Sequence, residues 1–266
     1  MILRYLLEQF DVFLFTMTLL AVVVFIALYF IDAGYGITFD KKWGVAINNK
    51  IAWFCMEMPV FALMTVLCLS SSRIAPFNLS TSLTPLIFFL FFQIHYARRA
   101  FVYPFLLRGK SKMPVTVMLM GIVFNFCNAF MQGGWIFHKS PECMYPLSWL
   151  LTPQFMIGSV LFFGGMALNI QSDKIIQSLR KDGDSKHYLP DRGLFKKVTC
   201  AHYLGEIVEW TGFAILTWSV SGAVFALWTF ANLTPRANAV YRKYQKWFGE
   251  ETLNTLKLKR IFPYLY

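Results

Sequence analysis

The sequence predicts an all-α integral membrane protein: a single domain over residues 1–266 with seven transmembrane helices, its N-terminus outside and its C-terminus in the cytosol. Three observations lead there. Charged residues make up 15% of the chain and hydrophobic ones 57%, against about 25% charged in a soluble domain. Several apolar runs approach the ~20 residues a helix needs to cross hydrocarbon. Their unbroken character selects helices over the short alternating strands of a barrel. The third observation is charge placement. With spans at 12–31, 51–69, 83–102, 114–133, 148–170, 198–218 and 222–234, the segments on one side carry twenty Lys/Arg and those on the other carry three. The basic side is the cytosolic one by the positive-inside rule.

The formal charge of +11 is read through this distribution, as attraction to anionic headgroups or to a bound phosphate. No nucleic acid and no obligate protein partner are expected. Cys55, Cys68, Cys127, Cys143 and Cys200 are scattered without CxxC or Cys/His ligand spacing, so neither metal nor disulfide is expected.

The first span, Leu/Val/Phe-rich and polar only at its threonines, reads as a retained lipid-facing helix, too long for a signal peptide. Gly34-Tyr35-Gly36 follows as a tight turn. It lacks the third glycine and the preceding strand of a dinucleotide fingerprint. The second span holds one ionisable group, Glu57, with Trp53 one turn back on the same face and Pro59 two residues on. A carboxylate at this depth is very costly, so the neutral acid is expected, able to donate a hydrogen bond.

In the third span the apolar half gives way to His95, Tyr96, Arg98, Arg99 and Tyr103. Helical spacing puts Tyr96, Arg99 and Tyr103 on one face, followed by Arg108 and Lys110. The fourth span carries Asn125, Asn128 and Gln132, assigned to packing against other helices. The fifth begins as a membrane span and ends as a polar helix, with Asn169, Asp173 and Arg180 aligned on one face. Lipid cannot face such a stripe, so something polar lies opposite. A basic, turn-rich loop leads to the sixth span, where His202, Glu206 and Glu209 share a face beside Trp210. Carboxylates three apart on one helix suit Arg or amide donors better than a metal. The seventh span is short and runs into a basic segment with Arg236, Tyr241 and Tyr244.

Taken together, these residues resemble the membrane-bound steroid 5α-reductases (3-oxo-5α-steroid 4-dehydrogenases). The resemblance runs along nearly the whole chain: Gly34-Tyr35-Gly36, Ala52-Trp53-Phe54 with Glu57-x-Pro59, His95-Tyr96, and Arg99-x-Phe101-Val102-Tyr103. It continues through Asn169 with Asp173, Leu179-Arg180-Lys181, Gly193-Leu194-Phe195, Leu204-Gly205-Glu206, Glu209-Trp210 and Arg236-Ala237. It implies NADPH-dependent reduction of the C4–C5 double bond of a 4-ene-3-oxo steroid, with hydride to C5 and a proton to C4. Glu57 and Tyr96 would hold the 3-oxo group, and Trp53 and Trp210 would line the steroid slot. Tyr35, Arg99, Tyr103, Lys110, Asn169, Asp173, Arg180, His202, Glu206, Arg236 and Tyr244 would bind the cofactor or support it. The C-terminal half, about 114–266, would serve mainly the cofactor.

The active site would open to the cytosol, from a bacterial inner membrane or the endoplasmic reticulum. The substrate partner is a steroid or sterol-like lipid, within the bilayer. The chain departs from the family pattern at His202, where Asn is usual, at His187-Tyr188, which replaces Tyr-Arg, and at Val240-Tyr241, which replaces a His pair. Two other readings stand beside this one. One is a reductase of another conjugated lipid double bond, an enoyl thioester or polyprenal; the other is a non-enzymatic sterol-binding or transport protein.

Overall fold

Apolar runs become helices at nearly every expected position, and short polar caps fix where they start. The computed structural model describes residues 2–107, 111–179 and 188–266; Lys110, Arg180 and His187 lie outside that range. A short helix α1 (Ile2–Glu8) precedes α2 (Phe10–Phe30). The chain then forms β1 (Ala46–Asn48) and enters α3 (Asn49–Leu69), where the Asn48 side chain accepts from the Lys50 amide at 2.8 Å. Helix α4 (Leu79–Ala97) is capped in the same way by Asn78. It runs through a π-helical turn, Arg98–Val102, into α5 (Tyr103–Leu106).

Strand β2 (Lys112–Pro114) leads into α6 (Val115–Gly134) and a second π turn, Trp135–Lys139. Helix α7 (Pro153–Ser178) starts on a Thr152 cap with proline in its first turn, where a missing N–H costs nothing. Helices α8 (Ala201–Thr217), α9 (Val220–Phe248) and α10 (Glu250–Thr255) complete the chain.

Among the described residues five helical stretches are long and apolar enough to cross a membrane: Phe10–Phe30, Asn49–Leu69, Leu79–Leu106, Val115–Lys139 and Pro153–Ser178. Helix α8 is 17 residues long, and α9 is apolar only in its first half. The short seventh span read from the sequence is thus the beginning of a 29-residue helix that continues through Pro235. Its extension survives because Val240, Tyr241 and Tyr244 bury against Leu253, Leu258 and Ile261 of the C-terminal tail. A feature absent from the sequence reading is the antiparallel pairing of β1 with β2, which sets Ile47 opposite Met113 and joins the turn after α2 to the start of α6.

Helices α7 and α8 make the most extensive helix–helix contact, α3 packs on α6, and α2 on α9. The α7–α8 contact is backbone to backbone. Gly158 and Gly165 face Gly212 and Gly205, and a Cβ added at Gly165 would lie 2.3 Å from the Glu209 nitrogen. Such an approach between membrane helices is available only to the smallest residues. The apolar core is rich in rings, with Phe88, Phe92, Phe162, Trp210, Phe213 and Phe225 packed together.

The bundle has two unlike ends. At one, loop contacts close the structure: Ser71 donates to the Phe137 carbonyl, Tyr145 to that of Thr217, and the Trp149 indole to that of Leu216. The other end collects the polar faces of α4, α7, α8 and α9.

Candidate active site

The polar groups of this second end continue into the bundle as one connected set. In α3, Trp53 and Glu57 stand one turn apart, and both are buried. Helix α6 lies alongside, and its Asn125 side chain donates to Glu57 Oε2 at 3.2 Å and to the Met56 carbonyl at 2.7 Å. That carbonyl is next to the one Pro59 leaves without a helical partner. One turn along α6, Asn128 Nδ2 donates to the Tyr96 hydroxyl at 2.8 Å. Tyr96 is buried in α4. Two neighbouring amides on one helix face therefore fix a carboxylic group and a phenol contributed by two other helices.

Tyr96 is backed by rings. Phe92, His95 and Trp210 have centroids 4.6, 4.9 and 5.8 Å from its own. Trp210 also meets Phe225 at 4.5 Å, so it forms an apolar wall anchored in the main core. Behind this wall His95 Nδ1 lies 2.7 Å from Glu209 Oε1, both almost wholly buried.

The π turn after Tyr96 sends two consecutive arginines to different neighbours. Its widened backbone is marked by the Tyr103 amide bonding to the Arg98 carbonyl, five residues back; such turns recur at functional sites. Arg98 turns to α7, donating to Asn169 Oδ1 at 3.0 Å and to Asp173 Oδ2 at 2.6 Å. Arg99 stacks on Trp53 and Tyr103, 4.4 and 4.9 Å from the ring centroids, and reaches Glu206 Oε1 of α8 at 3.4 Å. Arg99 thus links the helix that bears Trp53 and Glu57 to the polar end.

Asn169 closes the set, its amide donating to the His202 carbonyl at 3.0 Å and to Glu206 Oε1 at 3.4 Å. On the α9 side Arg236 donates to the Tyr35 hydroxyl and lies over that ring at 4.1 Å. Tyr35 in turn meets the edge of Trp53 at 6.3 Å. His202 Nδ1 is buried with no hydrogen-bond partner among the described residues.

The residues singled out in the sequence sort accordingly. Trp53, Glu57, Tyr96, Arg99, Tyr103, Asn169, Asp173, His202, Glu206, Tyr35 and Arg236 form one contiguous assembly, with Trp210 as its apolar wall. Tyr244 lies further along α9, buried in the cluster that packs under the C-terminal tail. Lys110 and Arg180 fall outside the described residues.

Three residues carry more than the sequence reading gave them. Gln132 performs the interhelical packing expected of it, donating to the Ser221 carbonyl at 2.9 Å. Asn125 and Asn128, grouped with it, also pack between helices, and their partners include the two candidate catalytic groups. Their three-residue spacing puts them on one helix face, a signal present in the sequence. Arg98 had no assigned partner, and its pairing with α7 depends on the π turn.

Comparison with known proteins places this geometry in a family. The family model described as 3-oxo-5-alpha-steroid 4-dehydrogenase matches residues 111–266. Human 3-oxo-5-alpha-steroid 4-dehydrogenase 1 is 38% identical over 225 residues, covering 83% of this chain and 81% of its own. The bovine protein of the same name is 33% identical, covering 92% and 93%. The steroid 5-alpha-reductase DET2 of Gossypium hirsutum is 34% identical, covering 95% and 96%. The similarity spans both the α3–α4 segment that bears Glu57 and Tyr96 and the C-terminal helices, and the chain belongs to the 3-oxo-5-alpha-steroid 4-dehydrogenase family.

Proposed function

We propose that the protein is an NADPH-dependent steroid 5α-reductase, reducing the C4–C5 double bond of 4-ene-3-oxo steroids. The relatives' names supply the steroid substrate class, and the arrangement of Glu57 and Tyr96 supplies the chemistry. The observation that carries the reading is that Asn125 and Asn128, one turn apart on α6, hold these two groups from behind. Because the Tyr96 oxygen accepts from Asn128, its own O–H proton is directed elsewhere. Because Glu57 accepts from Asn125 at one oxygen, the neutral acid keeps a proton on the other to donate. A 3-oxo group between them would receive two hydrogen bonds. As the double bond is reduced, negative charge moves onto that oxygen, where preorganised donors in a dry, low-dielectric site stabilise it most.

The residues present fit a nicotinamide dinucleotide. His202 offers a buried imidazole nitrogen without a partner, Asn169 and Glu206 offer amide and carboxylate groups, and Arg99 and Arg236 offer planar cationic donors suited to phosphate. These would hold the cofactor with Tyr35, Tyr103, Asp173, Lys110, Arg180 and Tyr244. When bound, NADPH supplies the hydride. The chain's own task is to orient the steroid against Trp53 and Trp210, exclude water and polarise the ketone.

In this reading α8 and the first half of α9 complete seven crossings. The N-terminus is outside, and the polar end faces the cytosol of a bacterial inner membrane or of the endoplasmic reticulum. Incubating purified protein with NADPH and testosterone or progesterone tests the proposal. Formation of the 5α-3-oxo product, identified by mass spectrometry, is expected. Conversion of an enoyl thioester or polyprenal with no steroid turnover would replace it with the other reductase reading.

A further inference from the structure

The tail after α10 builds a second polar feature, separate from the candidate active site. It is strapped to the entry of α8 by main-chain bonds: the Lys259 amide donates to the Lys197 carbonyl at 2.9 Å, Thr199 N to the Lys259 carbonyl at 2.9 Å, and Cys200 N to that of Arg260 at 3.1 Å. Between strap, α10 and α9 lies a cavity of about 520 Å³, within the size range of small-molecule sites. Lys197, Lys257, Lys259 and Arg260 line it, and no carboxylate does among the described lining residues.

Arg260 is fixed in place, its Nε donating to Asn238 Oδ1 at 2.7 Å and its guanidinium stacked on Tyr241 and Tyr266 at 4.9 and 4.7 Å. Lys197 Nζ lies 5.2 Å from the centre of the Tyr264 ring. Four like charges around one cavity repel one another, and an anion within it would offset that repulsion.

The surroundings say which kind of anion. Leu256 and Tyr264 of the cavity lining are 52% and 76% exposed, and Leu265, next in the chain after Tyr264, is 84% exposed, an apolar rim that a soluble ion would not use. The strap also ends at a membrane helix. The Tyr266 hydroxyl lies 3.2 Å from that of Tyr29 in the last turn of α2, and Phe262 stacks on Phe230 at 6.1 Å. Cations beside exposed apolar groups, level with the end of a span, match the boundary where a phospholipid changes from acyl chain to headgroup.

We propose that this cavity binds the phosphate of an anionic phospholipid headgroup, with the acyl chains lying against Leu256, Tyr264 and Leu265. The test uses the full chain in nanodiscs of phosphatidylcholine alone or mixed with phosphatidylglycerol. Lipid retention is read by native mass spectrometry and stability by thermal unfolding. Wild-type protein is expected to retain phosphatidylglycerol and to unfold at a higher temperature in the mixture. Lys257→Gln/Lys259→Gln should bind it roughly 25-fold more weakly, each surface lysine counting for a factor of about five. Lys257→Arg/Lys259→Arg should keep the binding.

Steroid turnover in phosphatidylcholine should be unchanged in both variants, since neither lysine belongs to the candidate active site. Equal retention by wild type and the Gln variant would overturn the proposal. So would stabilisation by inorganic phosphate or NADPH that phosphatidylglycerol does not increase, which would assign the cavity to a soluble phosphate.

Discussion

Asn128 Nδ2 stands 2.8 Å from the Tyr96 hydroxyl and donates to it, so the phenol's proton is free of the helix that orients its oxygen. Tyr96→Phe removes that proton while preserving the ring contacts with Phe92 and Trp210. Glu57→Gln preserves shape and replaces the acid. Each is expected to lower kcat about 100- to 1000-fold, the usual effect of removing an oxyanion donor. Asn128→Leu leaves the phenol present but unheld, and a smaller loss, on the order of tenfold, is expected with KM little changed. Steady-state kinetics on the three variants check this, and equal activity in Tyr96→Phe and wild type would remove Tyr96 from the mechanism.

The α7–α8 seam makes a paired stability prediction. A Cβ on Gly165 would meet the Glu209 nitrogen at 2.3 Å, whereas one on Gly164 meets nothing within 4 Å. Gly165→Ala must push the two backbones apart and displace Glu206 and Glu209 with α8. Gly164→Ala should be close to neutral. Thermal unfolding in detergent and folded yield from the membrane should separate the two variants clearly. Indistinguishable behaviour would mean that the helices pack more loosely than described.

Arg98 and Asp173 form a pair whose side chains are 16% and 7% exposed. Removing one partner strands the other charge. Arg98→Ala is expected to destabilise the protein by up to about 3 kcal/mol, the low end for buried pairs because Arg98 keeps some contact with solvent. Pairing it with Asp173→Asn should restore part of that loss. A double-mutant cycle on unfolding measures the coupling. Additive losses would assign the effect to the Arg98–Asn169 contact or to packing.

Cofactor choice should follow the arginines. A charge-assisted hydrogen bond is worth roughly 1.5–3 kcal/mol, so one additional phosphate contact should favour NADPH over NADH by about tenfold or more in kcat/KM. Comparable values for the two cofactors would contradict the phosphate role given to Arg99 and Arg236.

Much of this arrangement could be read from the sequence because helical periodicity is simple. Asn169 and Asp173 fall on one face, and both meet Arg98; Glu206 and His202 share the face that meets Asn169. What escaped was departure from the ideal helix. On a regular helix Arg98 and Arg99 stand 100° apart, and nothing in Arg98–Val102 announces a π turn. The apolar run at 222–234 marks only the first half of α9, because a basic sequence follows it; the helix continues through Pro235, where tertiary packing of Val240, Tyr241 and Tyr244 overrides the local preference of proline. The β1–β2 ladder, three residues a side and drawn from segments more than sixty positions apart, is too short to leave a periodic trace. Asn125 was legible as an interhelical amide, but spacing alone does not name its partners, here both a backbone carbonyl and the Glu57 side chain.

The packing of α2 on α9 has a consequence for synthesis. The Trp228 indole donates to the Met17 carbonyl 211 positions earlier, Phe25 stacks on Phe230, and Arg242 pairs with Asp32. At ribosomal speed, a partner some 200 residues away emerges about 10–40 s later. During that interval the first long helix must persist in lipid without its native neighbour. Its sequence suits the wait: a mean hydropathy of 2.7 leaves no polar stripe to shield. The bundle is therefore closed by pairing its first long helix with its last, across nearly the whole of synthesis.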